Sequence, residues 1–470
     1  MLSAQRQTIF QCLIDSNIRI ILTVSIALLL TGCPTEDTVG NAPTDPEDYL
    51  YSLIYSPPAD DPDVNPSGSI YHVAPWGNDA QDGSIDLPFK SVEMALTVIA
   101  PGDIIYLRGG THELSSSGKV GLKIQGVDGE PGKPIKLWNY RGEHPVFVPA
   151  DPRVTNVGIR FSSSYWHIRG LEVTGVKQQH NDDGSATHVI GFQVTGSSGS
   201  VFEAVESHHN EGTGFYLGGN STDNLVLNSD FHHNGDPYTA GNAYGNADGM
   251  HIRVEHPGTI NKVKGVRSWN NSDDGYDTWF TSGAVIFEDS WAFWNGYEEG
   301  MTVDLGGDGN GFKLGPYNDR GIAPDLATPL RIVIRCMAFQ NLARGFTWND
   351  GSMLMHLYNN SSFANWRGYV FNDPVKVLTN NLSLNDGGNG INPEAEQSRN
   401  SWNPGFLVSQ GDFISVDSVG MDSARGPDGS LPVTDFLKLA PGSTLIDAGV
   451  YTGHPYNGSA PDIGSRESDT

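Results

Sequence analysis

A chain of 470 residues with 57 Gly, 28 Pro and only 37% hydrophobic residues is rich in turns, which argues against long helices and for many short strands. Its formal net charge of -27 excludes nucleic acid and an anionic membrane surface as charge-driven partners, because both attractions need clustered Lys and Arg. An acidic polymer is compatible with that charge only where a bound cation bridges carboxylate to carboxylate.

Arg6 and Arg19 precede an apolar run from Ile20 to Leu30 that is short for a transmembrane helix and ends in Leu30-Thr31-Gly32-Cys33. Residues 1–32 therefore read as a secretory signal. The tetrapeptide resembles a bacterial lipobox, which implies cleavage before Cys33, a lipid on its sulfur and a lipoprotein at the outer membrane or cell surface. Without lipidation the protein is expected to be secreted. Membrane contact is expected only through that lipid. Residues 33–69 are rich in Pro, Asp, Thr and Ser without periodicity and read as a flexible tether. Residues 70–470 read as one body, expected to be monomeric. Cys12 and Cys33 fall before this body and only Cys336 within it, so no intrachain disulfide framework is expected there. Cys336, between Arg331-Ile332-Val333-Ile334-Arg335 and Met337-Ala338-Phe339, reads as a small buried hydrophobe.

Early in the body, Phe89, Val92, Leu96 and Ile99 at helical spacing predict one short amphipathic helix, stopped at Pro101-Gly102-Asp103. Asp103 to Gly110 predicts an apolar strand closed by glycines. This opening resembles the N-terminal end of secreted right-handed parallel β-helices, in which a helix covers the first open coil.

The chain then repeats. An Asn precedes a Gly-aromatic pair at Asn210 to Phe215, Asn271 to Tyr276, Asn341 to Phe346 and Asn365 to Tyr369, with half-copies at Ser229 to Asn234, Ser290 to Asn295 and Asn381 to Asn385. The positions 210, 234, 270, 295, 341, 365 and 385 are mostly 20 to 25 residues apart. Short strands at that spacing predict the coils of a β-solenoid, so the fold class is all-β, a parallel β-helix. Stacked asparagines would satisfy turn backbone along a ladder, and each Gly-aromatic pair would send a ring inward. Leu439 to Ser443 and Pro461 to Gly464 look like a closing segment.

In such a solenoid, equivalent positions of successive coils lie about 4.8 Å apart. Asp248 precedes Gly249 as Asp274 precedes Gly275, and Lys313 follows Gly311 by the same two residues by which Asp277 follows Gly275. Stacking would therefore bring Lys313 beside Asp277. Asp clusters with intervening Gly suit calcium, a hard cation taking about six to eight oxygens, whereas zinc or copper would call for His or Cys. The plain structural alternative makes these aspartates turn residues.

Asn246-Ala247-Asp248-Gly249, Asp273-Asp274-Gly275-Tyr276-Asp277 and Gly309-Asn310-Gly311-Phe312-Lys313-Leu314-Gly315 resemble the three active-site segments of polysaccharide lyase family nine, the pectate lyase family with a right-handed parallel β-helix. The resemblance runs from Tyr71 to about Gly464. It implies that Asp248, Asp273, Asp274 and Asp277 ligate calcium and that Lys313 is the catalytic base. The implied reaction is β-elimination on an acidic polysaccharide, pectate or a related uronan. The alternatives are a non-catalytic surface glycan-binding β-helix with a structural calcium site, and a glycoside hydrolase, which needs paired carboxylates. In neither does Lys313 have a role. Secondary candidates are His208-His209 over His232-His233 as a zinc site or an exposed ladder, Asp304 and Asp308 as groove lining or turn residues, Arg320, Arg344 and Arg367 for uronate carboxylates, and Trp279 for sugar stacking.

Overall fold

The computed structural model describes residues 68–469, apart from 116–117, 154, 181–185, 298–303, 316–329, 350–351 and 374–375. The signal, the lipobox cysteine, nearly all of the tether and Arg320 lie outside the described residues. Strands of mostly three to six residues form three sheets of 12, 10 and 10 strands; after the first strand, each pairs with the one three later in chain order. These pairings are parallel, as at Phe192 with Phe215 and at Phe312 with Phe346. The result is a parallel β-helix with three strands per coil.

Two internal ladders fix its register. Phe192 stacks on Phe215 with ring centroids 5.3 Å apart, and Tyr276, Phe312, Phe346 and Tyr369 stack in turn at 4.6 to 4.9 Å. These rings are fully buried, as the Gly-aromatic pattern predicts. The asparagine ladder also forms, each side chain bonding the next coil at 2.9 to 3.1 Å from Asn210 through Asn234, Asn271, Asn295 and Asn341 to Asn365, and ending on Asp386. It runs through 271 and 386, not through 270 and 385. Asn270 and Asn385 take the left-handed turn position just before it, at φ 50 and 57. Short polar side chains tolerate that conformation, so the first residue of each polar pair turns the chain and the second joins the ladder.

The helix is shorter than its periodicity predicts, only Val92–Ala95. Phe89 instead bridges to Val73, and the Lys90 and Ser91 amides are tied to Asp79 Oδ1 at 2.8 and 2.9 Å, which delays the helix start. Val92 and Ala95 still join the interior apolar cluster. Cys336 is buried in that cluster, its thiol pushed up by burial.

The C-terminal segment packs along the outer face of the third sheet, where Phe413, Met421, Phe436, Leu437, Leu439 and Leu445 join Trp269, Phe293 and Phe339 in a second apolar cluster. A buried clamp pins it there. Asp230 receives Arg425 Nη2 at 2.7 Å and Arg267 Nη2 at 2.7 Å, and Arg267 also donates to the Met421 and Ser423 carbonyls. Burial alone would raise the Asp230 carboxyl, but Arg425 and Arg267 outweigh it and pull it from 3.8 to about 2. A depressed carboxyl stabilises the fold above its unfolded value and loses that contribution as pH falls from about 4 to about 2. Asp230→Asn is expected to cost about 3 kcal/mol by leaving two guanidinium groups underpaired, and to remove that acid limb. Urea unfolding at neutral and acidic pH checks both; an unchanged midpoint contradicts the clamp.

Candidate active site

The second sheet carries the candidate residues on short strands joined by glycine turns. Its outward column reads Gln193, Tyr216, His251, Asp277, Lys313 and Thr347 in register. Asp277 and Lys313 are therefore directly paired neighbours, as their shared offset from glycine predicts. A second column, at the position just before each glycine, brings Asp248 beside Asp274: the Gly249 amide bonds Asp274 O and the Gly275 amide bonds Asn310 O. Gly275 is needed because a Cβ there would fall 2.8 Å from Gly311 O and from Asn295 Nδ2.

The predicted residues converge. Asp248, Asp273 and Asp274 place oxygens within 4.8 Å of one another, and Asp248, His251 and Asp277 form a second such group. Lys313 Nζ lies 3.0 Å from Asp274 Oδ2, 3.4 Å from Asp277 Oδ2 and 2.9 Å from Asp308 Oδ2. Asp274 is completely buried and Lys313 is 8% exposed.

Neighbours to which sequence reasoning assigned no such role orient these groups. Asn310 donates to Asp274 Oδ1 from its amide and from Nδ2, both at 2.8 Å. Asp274 Oδ2 is left with the Lys313 ion pair but no aligned hydrogen bond. Asp308 donates its amide to Asp273 Oδ1 at 2.6 Å, so it is part of the cluster and not only a turn residue. That contact needs Gly307, where a Cβ would fall 2.1 Å from Ser272 O. Asp304 is a turn residue, accepting from the Gly306 amide at 2.8 Å. Asp236 holds the loop that delivers Asp248, accepting from the Asn246 amide and side chain at 3.2 Å. Arg331, fully buried, donates to Thr278 Oγ1, Thr281 O and Gly283 O and so fixes the turn after Asp277. Burial pulls it down to about 9, still charged at neutral pH.

His251 was also missed, although it follows Gly249 by the two residues that mark the column. Its Nδ1 lies 2.9 Å from Asp248 Oδ2, its ring stacks on Tyr216, and its Nε2 is buried without a hydrogen-bond partner. Burial keeps it below its ordinary value, hence neutral.

Burial and charge crowding together set the electrostatics. Burial, then the charges of Asp277 and Asp274, pushes Asp248 well above the usual carboxylate range; burial, then Asp274 and Asp248, does the same to Asp273. Asp277 is also raised by burial, with Lys313 opposing. Burial alone would lower Lys313, but Asp274, Asp277, Asp273 and Asp308 outweigh it and hold the ammonium above its ordinary value. Lys313 is the cation that balances these carboxylates.

The site opens into a cleft of about 640 Å³ lined also by Tyr216, Arg253 and Trp279, the last 42% exposed. Arg344 and Arg367 do not line it. They continue the Asp248, Asp274 and Asn310 column on the next coils, paired with each other and near the exposed Trp366.

Residues 71–389 match the family described as Pel9A-like, right handed beta helix region. Pectate lyase L of Dickeya chrysanthemi is 33% identical over 409 residues, 85% of this chain and 90% of that protein. Pectate lyase PEL9 of Emericella nidulans is 30% identical over 407 residues, 80% of this chain and 93% of that protein. The crystal structure of pectate lyase Pel9A superposes with a TM-score of 0.73 at 31% identity, covering 86% of this chain and 97% of that one. A rhamnogalacturonan lyase structure gives 0.70 at 26% identity, covering 80% and 97%. These matches also carry the right-handed sense of the coil.

Proposed function

The chain belongs to the Pel9A-like right-handed β-helix family and is a polysaccharide lyase of the pectate lyase kind; from that premise we propose calcium-dependent β-elimination on pectate, with Lys313 as base. Membership in a lyase family sets aside the non-catalytic and glycoside hydrolase readings. The observation that carries the proposal is Lys313 Nζ at 3.0 and 3.4 Å from Asp274 and Asp277, in a cluster of buried carboxylates.

The residues fit a hard divalent cation. Asp248, Asp273, Asp274 and Asp277 offer only oxygen, Asp274 Oδ2 lacks an aligned donor, and mutual repulsion among the carboxylates is what a cation relieves. Bound there, calcium supplies positive charge that stabilises the substrate carboxylate and the negative charge developing on it.

The remaining chemistry belongs to Lys313. Once the aspartates are charge-compensated, the field that holds its proton weakens and the neutral amine becomes available. Nζ takes the proton from C5 of the uronate, the C–H electron pair becomes the double bond between C4 and C5, and the bond from C4 to the glycosidic oxygen breaks, its electron pair leaving on that oxygen, which takes a proton from water. Asp308, exposed and 2.9 Å from Nζ, is placed to receive that proton for release to solvent. Arg344 and Arg367 extend cationic ground along the coil axis for further uronate units.

Incubation with polygalacturonate, esterified pectin and rhamnogalacturonan in calcium, followed by ultraviolet absorbance of unsaturated product, tests this reading. Product is expected on polygalacturonate. Absence of unsaturated product on all three would sink it, and product on rhamnogalacturonan alone would move the substrate.

A further inference from the structure

On the outer face of the third sheet, His208, His232, Trp269, Phe293 and Phe339 occupy one register position on successive coils. Their rings stack nearly parallel, with centroids 4.8, 4.1, 5.5 and 4.7 Å apart. Stacking accounts for a flat ring at 208 and 232. It does not account for a second column one residue on, where His209 and His233 stack at 5.0 Å in left-handed turn positions that later coils give to Asn270, Trp294 and Gln340.

Each coil thus presents a histidine pair, and within each pair the Nδ1 atoms face one another, at 2.6 Å for His208 and His209 and at 2.7 Å for His232 and His233. The other ring nitrogens of His208 and His232 are committed. His208 Nε2 lies 2.9 Å from Glu172 Oε1 and His232 Nε2 lies 2.9 Å from Glu206 Oε1. A carboxylate oxygen accepts, so both Nε2 atoms donate to it and each Nδ1 is the nitrogen turned toward the neighbouring histidine.

We propose that His208, His209, His232 and His233 form a second metal site, for a divalent transition-metal ion of the zinc or copper type. Imidazole nitrogens suit those ions, whereas calcium takes oxygen, so this site is chemically separate from the carboxylate cluster. One nitrogen from each of His208, His209 and His232 already lies within 4.8 Å of the others. Tetrahedral zinc with bonds of about 2.1 Å sets its nitrogens about 3.4 Å apart, so on binding the short contact within each pair opens and the two pairs draw together by ring rotation. Glu172 and Glu206 are the carboxylates that orient ligating imidazoles from behind. His209 is exposed and the His208 and His232 side chains are 16% and 10% exposed, so an ion reaches them from solvent. Binding ties two coils together where the aromatic stack emerges from beneath the C-terminal segment.

The test uses full-length protein without a histidine tag, saturated with calcium so that the carboxylate site is filled. Zinc chloride is titrated in competition with a chromogenic zinc chelator near neutral pH. One tight equivalent is expected. The His209→Asn, His233→Asn double variant, which keeps a residue that the same turn accepts at Asn270, is expected to lose it while retaining the calcium-dependent lyase rate. Glu206→Gln is expected to weaken binding by about tenfold. No stoichiometric zinc, or unchanged zinc affinity in the double variant, overturns the proposal. Neither result depends on the lyase reading, which the polygalacturonate assay tests separately.

Discussion

Lys313→Ala is expected to lower the rate of unsaturated product formation by about 10³-fold, within the range by which a positioned base contributes. It is expected to leave calcium binding intact or tighter. The two effects separate because Lys313 has two roles in two states. In the metal-free protein its ammonium balances Asp274, Asp277 and Asp308, so it competes with a cation for the same charges. Removing it takes the ion-pair partner from the fully buried Asp274, and the thermal midpoint without calcium should fall. With calcium, the midpoint should recover while turnover does not. Initial rates together with calcium-dependent melting check this. Turnover within about tenfold of the parent would remove Lys313 as base. The base would then be sought at His251, neutral and with an unpartnered Nε2 in the same column.

Asp248→Asn is expected to act with opposite signs in the two states. Asp248 is buried and pushed well above its ordinary 3.8 by burial and then by Asp277 and Asp274; its own close contacts are His251 and the Asp274 amide. Asparagine keeps the shape and still accepts from that amide. Loss of one repelling carboxylate should therefore leave the metal-free protein as stable or more so. Loss of a ligand oxygen should weaken calcium by about 10²-fold and cut the rate at limiting calcium correspondingly. The pH sign follows from the raised carboxyls. A carboxyl whose folded value lies above 3.8 binds more protons folded than unfolded as pH rises past 3.8. Its contribution to metal-free stability therefore declines with rising pH through that window, and calcium should abolish the decline. Melting curves over mildly acidic to neutral pH, with chelator and with calcium, decide it. A variant that keeps full calcium affinity contradicts the ligand assignment.

How far the sequence reached is clearest in individual residues. The pairing of Asp277 with Lys313 was legible because both sit two residues after a glycine, and a parallel solenoid converts equal offsets into neighbours. His251 has the same offset from Gly249, so the signal for it was present and went unused. The asparagine ladder was legible as a ladder but slipped by one at 270 and 385, because two adjacent polar residues share the turn and only backbone conformation distinguishes them. Asp308 and Asn310 were not legible as partners of Asp273 and Asp274, since that depends on how closely Gly307 lets its loop approach Ser272. Arg331, in an apolar strand, gave no sign that its guanidinium would support the turn after Asp277. The short helix was overextended because apolar spacing carries no information about Asp79 capturing the amides of Lys90 and Ser91.

The most direct test of calcium-dependent elimination at this cluster is the rate of unsaturated product formation from polygalacturonate as calcium is added back to chelator-treated protein. The rate is expected to rise from background to saturation as the carboxylate cluster fills. An equal rate in excess chelator, or none at saturating calcium, would contradict it.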